Sequence, residues 1–185
     1  NEVVTDESWK YEGLETAFNF LGNSLATAME QHRDKISLEN NRRVISERFA
    51  GIITALCQVS ELRDVTTSGH QKKVSALAEN IAGRLGLSGE ALSAVRYSGL
   101  LHDIGKLYIP AEILSKPSAL TQAEYDLVKK HPEYGRDILS PLDFPWPLAK
   151  IILQHHERID GSGYPDGLRK DEISIEARIL AVADS

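Results

Sequence analysis

Taken as apolar and polar positions alone, the chain is a succession of helical segments. Leu14, Phe18, Leu21 and Leu25 recur at steps of four, three and four, which predicts a helix from Ser8 to about His32. Ile45, Phe49, Ile52, Leu56 and Val59 repeat the alternation and predict a second helix. Both runs have the a/d spacing of paired helices and short coiled coils. They fit two amphipathic helices laid on a core, or a signalling helix that couples an upstream sensor or a second subunit to the rest of the chain. Residues 1–7 are polar and expected to fray. From Glu61 the pattern changes. Thr66 to Arg84 is predicted as a helix started by Thr and Ser, with Val74, Leu77, Ala78 and Ile81 inward and Gly86 as its cap. Ser88 caps the next predicted helix, which runs to His102. Pro110 to Leu120 reads as a connection with one short helical turn. Thr121-Gln122-Ala123-Glu124 is a capping box that opens a helix running to His131. Pro141 to Pro147 is a loop, Leu148 to His156 a helix, Asp160 to Leu168 a loop dense in turn formers, and Ile175 to Asp184 a helix. No alternating run suggests a strand, and no internal repeat is present. The expected fold class is all-α.

Composition narrows the classes of function. A chain of 185 residues permits one large domain or one domain with an appendage, here residues 1–60 as a helical, coiled-coil-like linker region and 61–185 as the domain. The formal net charge of −6 argues against a binder of nucleic-acid polymers, which needs a basic face. An anionic substrate would have to be held by local positive charge, from metals or a few Lys and Arg. The single cysteine, Cys57, excludes an internal disulfide, fits a reducing compartment and reads as a small apolar helix residue. No apolar stretch is long enough to span a membrane, and no signal-peptide pattern opens the sequence. The expected location is the cytoplasm. The sequence starts at Asn1 and stops at Ser185 within a helical pattern, so it is expected to be a piece of a longer protein that could be attached to a membrane.

The chemistry gathers around Leu100-Leu101-His102-Asp103-Ile104-Gly105-Lys106. A neutral imidazole beside a carboxylate at a helix end is a mixed ligand set for a divalent transition metal. Gly105 is expected to let the backbone turn sharply, and Lys106 to bring a cation beside a bound anion. An isolated His-Asp pair is a weak signal, but five of the six histidines fall in one stretch. His70 stands at a predicted helix start, His131 precedes Pro132, and His155-His156-Glu157 closes an apolar run. Asp184 closes another. His70, His102, Asp103, His131, His155, His156 and Asp184 are enough ligands for two metal ions; His32 falls outside the motifs and reads as a surface residue.

In this order, with Asp160-Gly161-Ser162-Gly163-Tyr164-Pro165 between the histidine pair and Asp184, the sequence resembles the HD-GYP domain, a branch of the HD metal-dependent phosphohydrolases. The resemblance covers roughly Glu61 to Ser185, and Ile113-Leu114-Ser115-Lys116-Pro117 with Leu120-Thr121 match its connecting segment. It implies an HD-domain helical bundle with two metals, iron or manganese by preference, while imidazole ligands also suit zinc, nickel and cobalt. Asp103 is the natural bridge between the ions, because its neighbour His102 serves one of them. Two metals clamp a phosphoryl group and share a bridging hydroxide. Some members hold a third metal with an acid four positions before the first histidine; Thr66 stands there, so two metals are expected.

The resemblance further implies hydrolysis of cyclic di-GMP to linear pGpG and/or GMP. Asp103 and Lys106 would be catalytic, Lys106 on the scissile phosphate, and Gly163, Tyr164 and Pro165 would shape the substrate pocket. Glu157 and Asp160 are expected to orient metal ligands from outside. Arg158 and Lys116 read as surface charges. In the family, the helix at Asp184 continues into Arg and Lys residues that help hold the phosphates, whereas this sequence stops one residue later. Expected partners are a cyclic dinucleotide, a second copy through the N-terminal helices, and diguanylate cyclases or sensors. The alternative is a weakly active or inactive module that binds a cyclic dinucleotide and acts through protein–protein contacts. Another HD phosphohydrolase acting on nucleotides would explain the metal core but not the pair His155-His156 followed by the Gly-Tyr-Pro loop.

Overall fold

The structure, a computed structural model, describes the backbone of residues 8–63 and 69–185 and the side chains of residues 15–60 and 69–185. Among the described residues the only strand pairing is one antiparallel bridge, Asp160 to Arg169; everything else regular is helical. The fold class is all-α, as the pattern predicts.

Helix α1, Ser8–Arg63, is one continuous helix rather than the expected two. Between His32 and Ile45 there is neither Gly nor Pro, so nothing in the sequence ends the first helical run. The chain divides into two compact units, residues 1–48 and Phe49–Ser185. In the first, every described side chain is exposed, Phe18 by 73%. The second unit therefore begins ahead of the expected Glu61 and includes the last turns of α1. There the stripe differs by one row from the expected one: Ile53 and Cys57 are 0% and 2% exposed, whereas Ile52 and Val59 are 50% and 49% exposed. A four-three spacing fixes which residues share a face, but two adjacent apolar rows both satisfy it. Phe49 packs at 5.4 Å from Phe144 and 6.3 Å from Trp146, measured between ring centres.

Helix α2, His70–Arg84, starts directly at His70 after Gly69, whose φ of 76° is left-handed. The expected start at Thr66 lies outside the described residues. The helix closes as expected: Gly86 has φ 83°, and the N–H groups of Leu87 and Gly86 donate to the carbonyls of Ala82 and Gly83. Helix α3, Gly89–Leu101, has Ser88 at its cap position, although the serine side chain makes no capping bond. A 3-10 turn over Ile104–Tyr108 and the short α4, Ala111–Leu114, come next. The capping box forms at α5, Gln122–Val128, with Lys116 donating to Glu124 as well. This helix stops at Val128, not at His131. His131 instead opens α6, His131–Leu139, and places Pro132 in the first turn, where a missing N–H costs nothing. Helices α7, Leu148–Gln154, and α8, Ile175–Asp184, complete the unit.

Packing puts α2 against α3 and α8, and α6 against α7 and the 3-10 turn. Gly105 makes the last contact possible. A Cβ there would lie 2.6 Å from the Gly135 nitrogen and 2.8 Å from the His131 carbonyl carbon, both backbone atoms. Its φ is not positive, so glycine is required for this close approach rather than for the sharp turn expected from the sequence. The helix ends that carry His102 and His131 are thereby brought together.

Candidate metal centre

Three of the histidines are aimed in the same way. His102, His131 and His155 donate from Nδ1 to the carbonyl three residues earlier, that of Gly99, Val128 and Ile152. A carbonyl only accepts, so in the neutral ring the proton is on Nδ1 and the Nε2 lone pair points into the interior. His131 and His155 bring their Nε2 atoms to 3.2 Å from each other. Two unprotonated nitrogens facing at that distance repel unless a cation lies between them.

The seven expected ligands gather in two groups with Asp103 between them. His131, His155 and His156 offer nitrogens that all lie within 4.8 Å of one another, and so do the ligand atoms of His70, His102 and Asp184. Asp184 Oδ1 is 2.9 Å from His70 Nε2 and 3.2 Å from His102 Nε2. Asp103 turns Oδ2 toward His102 Nε2 at 3.4 Å and Oδ1 toward His131 Nε2 at 3.7 Å. Each of its oxygens thus faces a different group. Lys106 Nζ lies 2.8 Å from Asp103 Oδ2.

Electrostatics separates the groups. Burial, then the mutual presence of the histidines, pushes His155 well below its ordinary value; burial and His131 bring His156 down to about 4. Burial lowers His131 too, against the pull of Asp103. These three rings are neutral at pH 7, the form that binds a metal. In the second group burial opposes charge, but attraction wins. Asp103 and then Asp184 raise His102 to about 10, while His102 and Lys106 hold Asp103 well below the carboxylate range. Asp184 is held low by His102 and His70. His102 Nε2 is nevertheless buried without a hydrogen bond of good geometry. This centre attracts positive charge, and its donor set of imidazoles and carboxylates suits divalent transition metals.

The Gly-Tyr-Pro loop closes over the second histidine of the pair. The Tyr164 ring stacks on His156 at 4.8 Å, its N–H donates to the His156 carbonyl at 3.2 Å, and its peptide bond to Pro165 is cis. Burial first, then Tyr125 and Asp103, push its phenol upward. Gly163 lies so close beneath that a Cβ would be 2.5 Å from Glu157 Cα and from the His156 carbonyl oxygen.

Glu157 and Asp160 are placed differently from what the sequence suggests. Buried Glu157 accepts the backbone N–H groups of Asp166, Gly167 and Leu168 at 2.7, 3.1 and 2.9 Å, so it fastens the loop rather than an imidazole. Exposed Asp160 accepts from the Ser162 N–H and hydroxyl. The groups that orient the ligand rings are backbone carbonyls, which carry no residue-type signal. Thr66 lies outside the described residues. Sequence reasoning also passes over Gly135, which receives Gly105, and Arg178, whose Nε is buried without a hydrogen bond.

Comparisons with known proteins place the chain in a family. The family model described as HD domain matches residues 54–185. The chain belongs to the HD-domain family. The cyclic di-GMP phosphodiesterase response regulator RpfG of Xanthomonas campestris is 43% identical over 142 residues, 76% of this chain and 38% of the relative. A cyclic di-GMP phosphodiesterase of Thermotoga maritima is 43% identical over 136 residues, 72% of this chain and 37% of its own length. The 3'3'-cGAMP-specific phosphodiesterase 1 of Vibrio cholerae is 38% identical, covering 75% of this chain and 32% of its own. The chain thus spans less than two fifths of the length of these relatives. Among solved structures, Bd1817, an HDG"Y"P protein of Bdellovibrio bacteriovorus, superposes with TM-score 0.53 at 29% identity, over 62% of this chain and 38% of that one. The HD domain of the Listeria monocytogenes phosphodiesterase PgpH superposes with TM-score 0.52 at 23% identity, over 70% of each chain, and shows the shared fold.

Proposed function

We propose that the bundle is a metal-dependent phosphodiesterase that hydrolyses a cyclic dinucleotide, cyclic di-GMP first, to the linear pGpG and/or GMP. The observation that carries this reading is the pairing of two three-ligand groups with an aspartate whose oxygens face one group each. His131, His155 and His156 would hold one ion, His70, His102 and Asp184 the other, and Asp103 both. Iron or manganese is the proposed pair, with zinc, nickel or cobalt as competitors. Two such ions supply Lewis acidity toward a phosphoryl oxygen and a nucleophile from water near neutral pH.

The chain's own residues do the rest. Lys106, poised over Asp103, offers a fixed ammonium where negative charge grows on the scissile phosphate. Gly163, Tyr164 and Pro165 form the wall against which the substrate rests, Tyr164 offering a ring face and a hydroxyl. Glu157 keeps that wall in place through its three backbone bonds. The names of the relatives support a cyclic dinucleotide as substrate and leave two to be compared, cyclic di-GMP and 3'3'-cGAMP, which differ in one base.

The proposed setting is the bacterial cytoplasm; no helix among the described residues is long and apolar enough to cross a membrane. The proposed protein partner is a second copy of the chain along α1, where Leu38, Ile45, Ile52 and Val59 recur every seven residues, all exposed. Sensors or diguanylate cyclases upstream would act through the same helix. The deciding experiment loads the protein anaerobically with iron or manganese, adds each dinucleotide, and follows products by chromatography. Linear product is expected with metal and none without it; tight binding with no product at full metal occupancy would turn the reading into that of a binding module. Light scattering would report the dimer, and Ile45→Lys should convert it to monomer.

A further inference from the structure

His155 and His156, directly after α7, stand between two buried polar side chains, Gln154 and Glu157, which are 6% and 4% exposed. Glu157 holds the backbone of residues 166–168. Gln154 reaches further along the same segment. Its Oε1 accepts the Ser174 N–H at 3.0 Å, and its Nε2 donates to the Glu172 carbonyl at 3.4 Å. One amide offers both an acceptor and a donor, so it serves a backbone N–H and a backbone carbonyl at once. What it grips is the start of a helix. Ser174 caps α8, where its hydroxyl accepts the Ala177 N–H, and Asp184 is the last residue of that helix.

Ala177, Ile179, Leu180 and Ala183 hold α8 against the bundle, all of them buried and apolar. Such packing is non-directional, so it leaves the tilt and the axial position of the helix to its hydrogen bonds. A helix of this length measures about 15 Å, and a tilt of about 4° at its base displaces the far end by about 1 Å. At that end Asp184 Oδ1 meets His70 Nε2 at 2.9 Å and His102 Nε2 at 3.2 Å. A constellation of ligands tolerates displacements of only about 0.5 Å. We propose that Gln154 is a positioning residue for the ion assigned to His70, His102 and Asp184: it ties the base of α8 to the end of α7 and so sets where Asp184 stands. This rests on the proposed function. It gives the two buried anchors different tasks, Glu157 serving the substrate wall and Gln154 one of the two ions.

The test is a manganese(II) titration of the full chain, read by metal analysis and by electron paramagnetic resonance, which distinguishes a single ion from a bridged pair. The wild-type chain should take two ions and give the coupled signal of a pair. Gln154→Met keeps the length of the side chain and removes both bonds. It should weaken one ion by about tenfold to a hundredfold, the usual effect of removing a support behind metal ligands, and at limiting manganese the signal should be that of isolated ions. The other ion, on His131, His155 and His156, should keep its affinity. In an Asp184→Ala background, Gln154→Met should change metal binding no further, because its effect runs through Asp184. Further loss in that background, or equal weakening of both ions, would give Gln154 a general structural role and overturn the inference, as would unchanged binding of both. Should Gln154→Met fail to fold, Gln154→Glu carries the same comparison: it keeps the bond to Ser174, loses the one to Glu172, and should weaken the same ion by a smaller factor. A wild-type chain that binds fewer than two ions overturns the proposed function itself, whereas two ions in the wild type and unchanged in the Gln154 variants overturn this inference alone.

Discussion

Residues 15–48 of α1 and the bundle that begins at Phe49 use the same alphabet of apolar spacing and stand in opposite surroundings. In the first, apolar side chains such as Phe18, Leu21, Leu25 and Met29 are exposed, and a Cβ added to Gly22 meets nothing within 4 Å. In the second, Leu101, Ile104, Ile151 and Leu180 are buried, and a Cβ added to Gly105 meets backbone. The period of a sequence therefore predicts an element and its faces, but not what covers them. In the exposed stretch, stability comes from helix propensity and weak pairs such as Arg43 with Glu47 at 4.0 Å. In the bundle it comes from who touches whom, and the same substitution has a different meaning there.

The largest contrast is between two aspartates. Asp103→Ala should remove both metals and bring hydrolysis to background with the helical content unchanged, while Asp34→Ala, on the exposed stretch, should alter neither. Metal analysis and circular dichroism on the same samples decide it, and loss of a single metal would move the bridge to another residue. Next comes Lys106→Ala. It should keep both metals and slow hydrolysis by about 10²–10³-fold, the loss of one preorganised donor; full turnover at full occupancy would remove Lys106 from the reaction.

Matched glycines come third. Gly105→Ala has to push two backbones apart and should cost about 3 kcal/mol in chemical unfolding. Gly22→Ala should stabilise its helix by about 1 kcal/mol, seen as a gain in ellipticity. A silent Gly105→Ala would mean that the 3-10 turn and α6 are not held as closely as described.

The smallest effect is a pH dependence. Lys116, followed by Thr121, brings the Glu124 carboxyl down to about 2 in the folded chain. A lowered acid contributes stability above its unfolded value and loses it as pH falls through the folded one. The wild-type unfolding midpoint should therefore drop between about pH 4.5 and 2 more steeply than that of Glu124→Gln.

The fold class was legible because it rests on residue types, and so was the set of seven side chains that the structure brings together. The capping box at Thr121 and Glu124 and Gly86 past a helix end are local signals, and each is realised where the sequence puts it. What was not legible depends on neighbours distant in sequence. Ile53 rather than Ile52 faces inward because of where Phe144 and Trp146 stand beside the α1 turns. Gly105 is needed for the approach of α6, which no local pattern near residue 105 announces. His131 opens a helix instead of ending one, since Pro132 is at home in a first turn and the stop falls earlier, at Val128. Glu157 reads as a partner for its histidine neighbours, yet its bonds run to the loop nine to eleven residues ahead.

The aiming of His102, His131 and His155 by carbonyls three residues back matters for anyone who wishes to transplant or rebuild such a centre. Each ring takes its aim from a backbone carbonyl three residues earlier, at a helix end for His102 and His155 and across the junction of α5 and α6 for His131. A short peptide cassette ending in histidine, together with the turn before it, is therefore a portable part. Grafted onto a designed bundle whose helix ends converge as these do, three cassettes would present correctly turned imidazoles without a designed layer of supporting acids. The designer's task would reduce to placing backbone ends. Conversely, a proline put three residues after the carbonyl, in the histidine's place, would erase ligand and aim in one stroke, whereas substitutions in the surrounding shell would leave the rings pointing inward.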